Sequence, residues 1–299
     1  MAWVLLTAFY GAAKGARELL KKYALTKNPV LEVLVAYTLL SFVLILPGSF
    51  IPALGADADV FALPVKYLPW VALKAFVVFL AWIFGFLAIE RMPVSLFGVL
   101  ELSRVLYSTL LGVLFLNESV GLLQGLGLLL VLTGLFLLKS GPRRKAAAGT
   151  EPEGSAAEKV SGWLIVLAFA SCLLNATSGT MDKVLMRYMS AGQLQFWYML
   201  FMSVFYLLFA LIRRVKVDWR LMIGNWYVPL LALLFVLADR ALFMANGYPD
   251  SKVTVMTLLK QCGCVIIIVG GRVFFGEKGM GRKLLCAGIV IAGIVLAVL

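Results

Sequence analysis

No histidine occurs among the 299 residues, and only 14% of them are charged. The first absence removes the commonest metal ligand and acid–base group. The second sets the chain apart from soluble domains, of which about a quarter is charged. Acidic residues are the scarcer sign, 15 against 27 Lys and Arg, which leaves a net charge of +12. Cysteines number four: Cys172, Cys262, Cys264 and Cys286, each within an apolar run where nothing suggests an oxidised framework. Cys262 and Cys264 stand two apart, so on a helix they point about 200° from each other and cannot chelate together. They read as small buried hydrophobes. No metal site and no cofactor is expected. Phosphate-binding loops, zinc-protease motifs and nucleophile elbows are missing too. An enzyme built here would need a lysine or carboxylate mechanism that no spacing supports, so enzymatic activity is not expected.

What fills the chain instead is apolar sequence. Hydrophobic residues make up 63%, with a mean hydropathy of +0.99, more than one soluble core can enclose. The runs are continuous and lack the alternation of barrel strands. The expected fold is therefore an all-α membrane protein whose partner is the lipid bilayer, and nucleic acid is not an expected partner despite the charge. At about 20 residues per crossing, ten segments fit, near 3–22, 30–48, 67–89, 93–116, 120–139, 162–183, 192–212, 226–246, 252–275 and 282–299. The first lacks a basic n-region and a small-residue cleavage site, so it reads as a span and not as a signal peptide. Pro29 and Pro93 stand at helix entries, where proline is tolerated.

Residues 140–161 turn to Gly, Pro, Ala, Lys and Glu, and divide the chain nearly in half. The halves resemble each other. An offset of 159 lays Leu114-Phe115-Leu116-Asn117-Glu118 over Val273-Phe274-Phe275-Gly276-Glu277, Val94 over Val253, Ser95 over Thr254, and Gly112 over Gly271. It also lays Thr133-Gly134 over Ala292-Gly293. Near the two starts, Trp3 and Ala8-Phe9 match Trp163 and Ala168-Phe169, with Lys22 close to Lys183. The division read from this is a first five-helix repeat over 1–139, a cytoplasmic linker over 140–161 and a second five-helix repeat over 162–299. One set of loops carries Lys21, Lys22, Lys27, Arg91, Arg143, Arg144, Lys145, Arg213, Arg214, Lys216, Arg220, Lys278, Arg282 and Lys283. The other offers little beyond Lys66, Lys183, Arg187 and Lys252. The positive-inside rule puts the first set in the cytoplasm and both termini outside. Five spans per repeat make the halves inverted.

Arg91-Met92-Pro93-Val94-Ser95, the end of the fourth segment at Phe115-Leu116-Asn117-Glu118, and the glycine-rich fifth segment resemble the drug/metabolite transporter superfamily, in particular its ten-helix EamA-type members. The second half repeats the pattern with Phe274-Phe275-Gly276-Glu277 and Gly288 to Gly293. The resemblance covers essentially the whole chain. It implies a secondary transporter, in a superfamily that moves amino acids, drugs, nucleotide sugars, phosphorylated sugars and choline-like cations. The expected location is a bacterial or archaeal plasma membrane. In the nucleotide-sugar and sugar-phosphate branches a lysine of the ninth helix contacts the phosphate region of the substrate, and Leu258-Leu259-Lys260-Gln261 is similar in position. The Gly-Ala-Leu-Asn residues that precede that lysine in nucleotide-sugar carriers are missing here.

A charge at mid-bilayer costs about 2.5–3.5 kcal/mol on insertion scales, so intramembrane charges are candidate site residues. Lys14, Arg17 and Glu18 share one face of the first span. Glu101 and Arg104 share one face of the fourth. Asp239 and Arg240 lie in the eighth and Lys260 in the ninth, with Lys260 over Glu101 at the repeat offset. These eight imply a gross cost of roughly 20–28 kcal/mol, which requires them to converge on a wet cavity or to pair. Five are positive and three negative. Pairing leaves two positive charges that an anionic small molecule would neutralise. The substrate-binding set expected is Lys260, Arg104, Lys14, Arg17, Tyr107 and Gln261. The coupling and ion-pair set is Glu101, Glu18, Asp239 and Arg240. Tyr10, Trp82, Asn175, Thr177, Ser178 and Asn246 could complete a pocket.

The function expected is transport of a small phosphorylated or carboxylate anion by alternating access, through exchange or proton coupling. An exporter of amino acids or amphipathic drugs, and a flippase of a phosphate-linked lipid, are the alternatives. Gly11 with Gly15, and Gly121 with Gly125, form small-xxx-small patterns that suit close packing within the chain or a homodimer through spans five and ten.

Overall fold

The computed structural model describes residues 2–26, 28–51, 59–139, 161–276 and 280–298, and among these every regular element is helical. Helix α1 covers Ala2–Leu25, α2 Val30–Phe50, α3 Leu68–Arg91, α4 Val94–Leu100, α5 Arg104–Leu116 and α6 Leu122–Lys139. Beyond the linker come α7 (Gly162–Leu185), α8 (Ala191–Arg213), α9 (Trp219–Gly224), α10 (Tyr227–Gly247), α11 (Val253–Lys260), α12 (Gly263–Phe275) and α13 (Met280–Val298). Among the described residues, six helical stretches are long and apolar enough to cross a membrane: Val30–Phe50, Val65–Arg91, Gly162–Leu185, Ala191–Arg213, Tyr227–Gly247 and Val253–Phe275. Helix α1 has 24 residues but carries Lys14, Arg17, Glu18, Lys21 and Lys22. Most of the linker, residues 140–160, and Glu277 and Lys278 lie outside the described residues.

Helix ends recur at the offset seen in the sequence. Helices α4 and α11 begin at Val94 and Val253, and α5 and α12 at Arg104 and Gly263. Asn117 ends α5 and Gly276 ends α12, each in the left-handed conformation with φ of 53° and 64°, which Asn and Gly tolerate best. The packing pairs off likewise. Helix α1 lies against α10 as α7 lies against α3, and α2 against α10 as α8 against α3. Helix α1 also meets α12 as α7 meets α5, and α6 runs along α13. The helices of one half thus seat mainly on those of the other.

The segments 93–116 and 252–275, expected as unbroken helices, are each tightened in the middle. Glu101–Ser103 is one turn of 3-10 helix. At the matching place Gln261 N and Cys262 N bond back to Leu258 O and Leu259 O, a spacing of three. No proline stands at either turn. The second turn is pressed against α1, where a Cβ on Gly11 would meet Cys262 Sγ at 2.6 Å and one on Gly15 would meet Gly263 O at 2.5 Å. Glycine there lets two backbones touch. The Gly121 and Gly125 pattern does not act this way, because a Cβ on either meets nothing within 4 Å. The close approach of α6 to α13 uses Gly134 and Gly293 instead.

Two lysines fasten helix ends. Lys22 Nζ donates to Ile89 O, Glu90 O and Met92 O at 2.8, 2.9 and 3.1 Å, closing the C-terminus of α3. Lys183 Nζ donates to Tyr248 O at 2.7 Å, Ser251 Oγ at 2.6 Å and Asn246 O at 3.2 Å, closing the C-terminus of α10. Unpaired carbonyls at a helix end carry partial negative charge, so an ammonium suits both places.

Candidate functional site

The interior between the halves holds a narrow cavity walled by α1, α3, α5, α7, α10 and α11, with Tyr37 from α2, Phe97 from α4 and Tyr198 from α8. Helix α1 supplies Tyr10, Lys14, Arg17, Glu18 and Lys21, which recur every three or four residues and so lie along one face. The tightened turns bring Glu101, Arg104 and Lys260 to the same wall.

Four ion pairs line it. Lys14 Nζ lies 2.8 Å from Glu101 Oε2 and Lys74 Nζ 3.0 Å from Asp182 Oδ1. Arg17 Nη1 lies 3.9 Å from Asp239 Oδ1. Lys21 Nζ donates to both oxygens of Glu18 at 2.7 and 2.8 Å. Aromatic rings support the cations: Lys74 Nζ sits 3.7 Å from the Tyr198 ring centre, Lys21 Nζ 4.5 Å from Phe86, and Arg17 Cζ 5.1 Å from Phe235.

The cavity therefore faces six cations (Lys14, Arg17, Lys21, Lys74, Arg104 and Lys260) and four carboxylates (Glu18, Glu101, Asp182 and Asp239). Every carboxylate is spoken for. Arg104 and Lys260, each 8% exposed, have no ion pair or hydrogen bond among the described residues. Arg104 Nε is buried without a partner, and Lys260 Nζ has only the Tyr10 ring at 5.4 Å. A buried cation without a counter-ion is costly, and an anion between these two would relieve both.

Of the residues expected from sequence, Lys14, Arg17, Glu18, Glu101, Arg104, Asp239 and Lys260 meet at this cavity, as do Tyr10, Trp82, Asn175 and Ser178. Arg240 does not line it: it follows Asp239 on α10, and adjacent residues diverge by about 100°. Tyr107 is half-buried on α5 and is not on the wall. Gln261 lies behind Lys14, Glu101 and Lys260, at a crevice with no room for a water, and its Nε2 is unpartnered. Asn246 is buried and donates back to Leu242 O, while Thr177 faces a different groove. Three further charged residues, Lys74, Asp182 and Lys21, line the cavity. Lys74 and Asp182 were legible as charges inside apolar runs. Lys21, expected in a loop, is carried onto the wall because α1 continues to Leu25. Glu118 has a role beyond sequence likeness: its carboxylate accepts from Val253 N, Thr254 N and Thr254 Oγ1 at 2.6, 3.1 and 2.9 Å, capping α11 from the end of α5.

The EamA-like transporter family matches residues 1–140 and 162–299. The chain belongs to that family. It is thus an integral membrane protein and a transporter of the drug/metabolite type, in a family of transporters and not of enzymes. Among solved structures, one described only as a crystal structure of a protein has a TM-score of 0.64 and 16% identity, over 97% of this chain and 96% of its own. At that identity the likeness is one of fold. Comparison with curated proteins gives no match.

Proposed function

We propose that this transporter carries a small organic anion, phosphorylated or carboxylated, by alternating access, through exchange or proton coupling. The observation that carries the reading is the pair of buried cations on the cavity wall, Arg104 and Lys260, left without carboxylate partners among the described residues. A substrate carboxylate or phosphate would take a forked pair of bonds from the guanidinium and one from the ammonium. A cationic solute would meet repulsion.

The architecture proposed with it is ten spans in two inverted five-helix repeats, with both termini outside. Coincident helix ends and paired packing support that arrangement. The site then lies between the repeats at the level of the two tightened turns, where inverted-repeat carriers hold their substrates. Rocking of α1 to α5 against α7 to α12 would expose it to either side in turn. A cavity that must keep two cations neutralised favours exchange, because returning empty leaves them bare.

The test is thermal stabilisation of the purified protein by a panel of phosphorylated compounds, carboxylates, amino acids and cationic drugs. A ligand at about 100 times its Kd adds roughly 2.7 kcal/mol. Stabilisation by anions that is lost in Arg104→Gln and Lys260→Gln supports the reading. Stabilisation by cations or neutral drugs that persists in both variants overturns it.

A further inference from the structure

A second and larger hollow, about 1470 Å3, lies outside the central cavity, in a groove between α3, α5 and α7. Its walls are apolar or aromatic apart from two threonines and one cation, Lys66 at its rim. The rim is aromatic: the Tyr67 and Tyr188 rings stack with centres 5.1 Å apart and planes 21° apart, and Lys66 Nζ lies 5.0 Å from the Tyr67 ring centre. Trp70 and Phe115, 57% and 70% exposed, stand beside it. Helix α3 begins here, and α5 and α7 end here, so the rim belongs to one face of the membrane and the apolar walls lead inward from it.

The charges around the rim stand out against their loops. Lys66, Lys183, Arg187 and Lys252 are the basic residues on the loop set that is otherwise poor in positive charge. Two have structural employment, Lys183 on the end of α10 and Lys252 Nζ on Ser119 O at 3.3 Å. The other two do not. Lys66 and Arg187 have no ion pair among the described residues; Lys66 lines the groove, and Arg187 directly precedes Tyr188, which lines it too. Topology disfavours them there and no carboxylate of the described residues uses them.

We propose that this groove is a binding site for one anionic phospholipid of the bilayer, with an acyl chain along α3, α5 and α7 and the phosphate between Lys66 and Arg187. Apolar walls at hydrocarbon depth exclude water and accept a chain, while tyrosines and tryptophan suit the interface. The lipid would brace the two helices that also wall the central cavity. On α7, Thr177, Met181 and Val184 face the groove, while Ser178 and Asp182 face the cavity. On α3, Leu73 faces the groove and Lys74 the cavity.

The test is native mass spectrometry of the delipidated full chain in detergent, titrated with phosphatidylglycerol, phosphatidylcholine or inorganic phosphate. Phosphatidylglycerol should be retained over phosphatidylcholine, by roughly fivefold for each rim cation. Lys66→Ala with Arg187→Ala should bring the two lipids level, and Thr177→Trp, which fills the groove from a half-buried position on its wall, should remove both adducts. A melting curve without lipid confirms that these variants fold. Equal retention of the two lipids by the unaltered chain, or an adduct that survives Thr177→Trp, overturns the proposal. So does displacement of phosphatidylglycerol by inorganic phosphate, which would make the rim a site for free phosphate.

Discussion

Along the central cavity, α1 of the first half carries Lys14, Arg17, Glu18 and Lys21, while α7 of the second half has Leu174, Thr177, Ser178 and Met181 at the positions 160 residues on. The tightened turns differ in the same way, with Glu101 and Arg104 in the first half standing where the second has Lys260 and Gly263. Of the charges on the wall, the first half contributes five cations and two carboxylates, and the second one cation and two carboxylates. Duplicated helices thus carry unduplicated chemistry. The halves attract each other across the cavity through Arg17 with Asp239 and Lys74 with Asp182. Arg104 and Lys260, one from each half, remain unpaired among the described residues, and the proposed anion would neutralise them.

The largest effect should come from breaking a bond between the halves and comparing it with one inside a helix. Lys74→Met strands Asp182, whose side chain is 5% exposed, and a stranded buried charge costs about 3–5 kcal/mol. Lys21→Met breaks a pair three residues apart on α1 whose lysine is the wetter of the two, 14% exposed against 2% for Lys74, so the Glu18 it leaves behind is more easily hydrated and the loss should be smaller. Melting of the purified variants should rank them in that order, and adding Asp182→Leu to Lys74→Met should restore most of the loss. Equal losses from the two lysines would mean that the pairs between halves have no special weight.

Next come the lysines on helix ends, where the halves agree instead of differing. Charge-assisted hydrogen bonds contribute about 1.5–3 kcal/mol, so Lys22→Met and Lys183→Met should each lower stability by that amount and to a similar degree. A loss at only one would show that the likeness of their bonding is geometric and not energetic.

How far this was readable from sequence depends on distance along the chain. The segment bounds, the likeness of the halves and the shared face of Lys14, Arg17 and Glu18 rest on local periodicity, and periodicity survives folding. Partner choice does not. Lys14 meets Glu101 and Arg17 meets Asp239 across 87 and 222 positions of chain, a matter of packing that no spacing records. The tightened turns escaped notice because neither has a proline to mark it. Lys74 escaped because a single lysine scarcely dents an apolar run, and Gly121 because a small-residue pattern marks a close approach only where another helix arrives.

A smaller contrast lies in how each half packs its first helix. Gly11 has no room, with Lys260 O 3.0 Å from the Cβ it lacks. Its counterpart at the 160 offset, Ser171, already bears a side chain and donates to Ala81 O at 2.8 Å. Gly11→Ala should therefore cost about 1–3 kcal/mol by overpacking, and Ser171→Ala about 1 kcal/mol for each of two hydrogen bonds, the one it donates to Ala81 O and the one it accepts from Asn175 Nδ2. The seam at Gly11 lies behind Lys260, so Gly11→Ala should also weaken anion binding, which a ligand-induced melting shift would read. Unchanged binding in Gly11→Ala would mean that Lys260 tolerates movement of its own turn.

The smallest effect expected is at Glu118. Its carboxylate holds the first turn of α11, and Glu118→Gln keeps the size and an acceptor oxygen while removing the negative charge from a helix N-terminus. That charge contributes about 0.3–1 kcal/mol, and the amide nitrogen that replaces one oxygen forfeits an accepted hydrogen bond of about 1 kcal/mol, so the melting shift should be modest in the absence of ligand. The end of α11 is nevertheless tied to α5, and the two helices carry Lys260 and Arg104 respectively. Loosening this tie should change how readily the two cations part, hence exchange rates more than affinity. Glu277, at the matching place in sequence, lies outside the described residues, and Glu277→Gln measured beside Glu118→Gln asks whether the likeness extends to function. Equal changes in rate would make the two glutamates a matched pair, one for each half. A change at Glu118 alone would confine the role to the half in which the bond is seen.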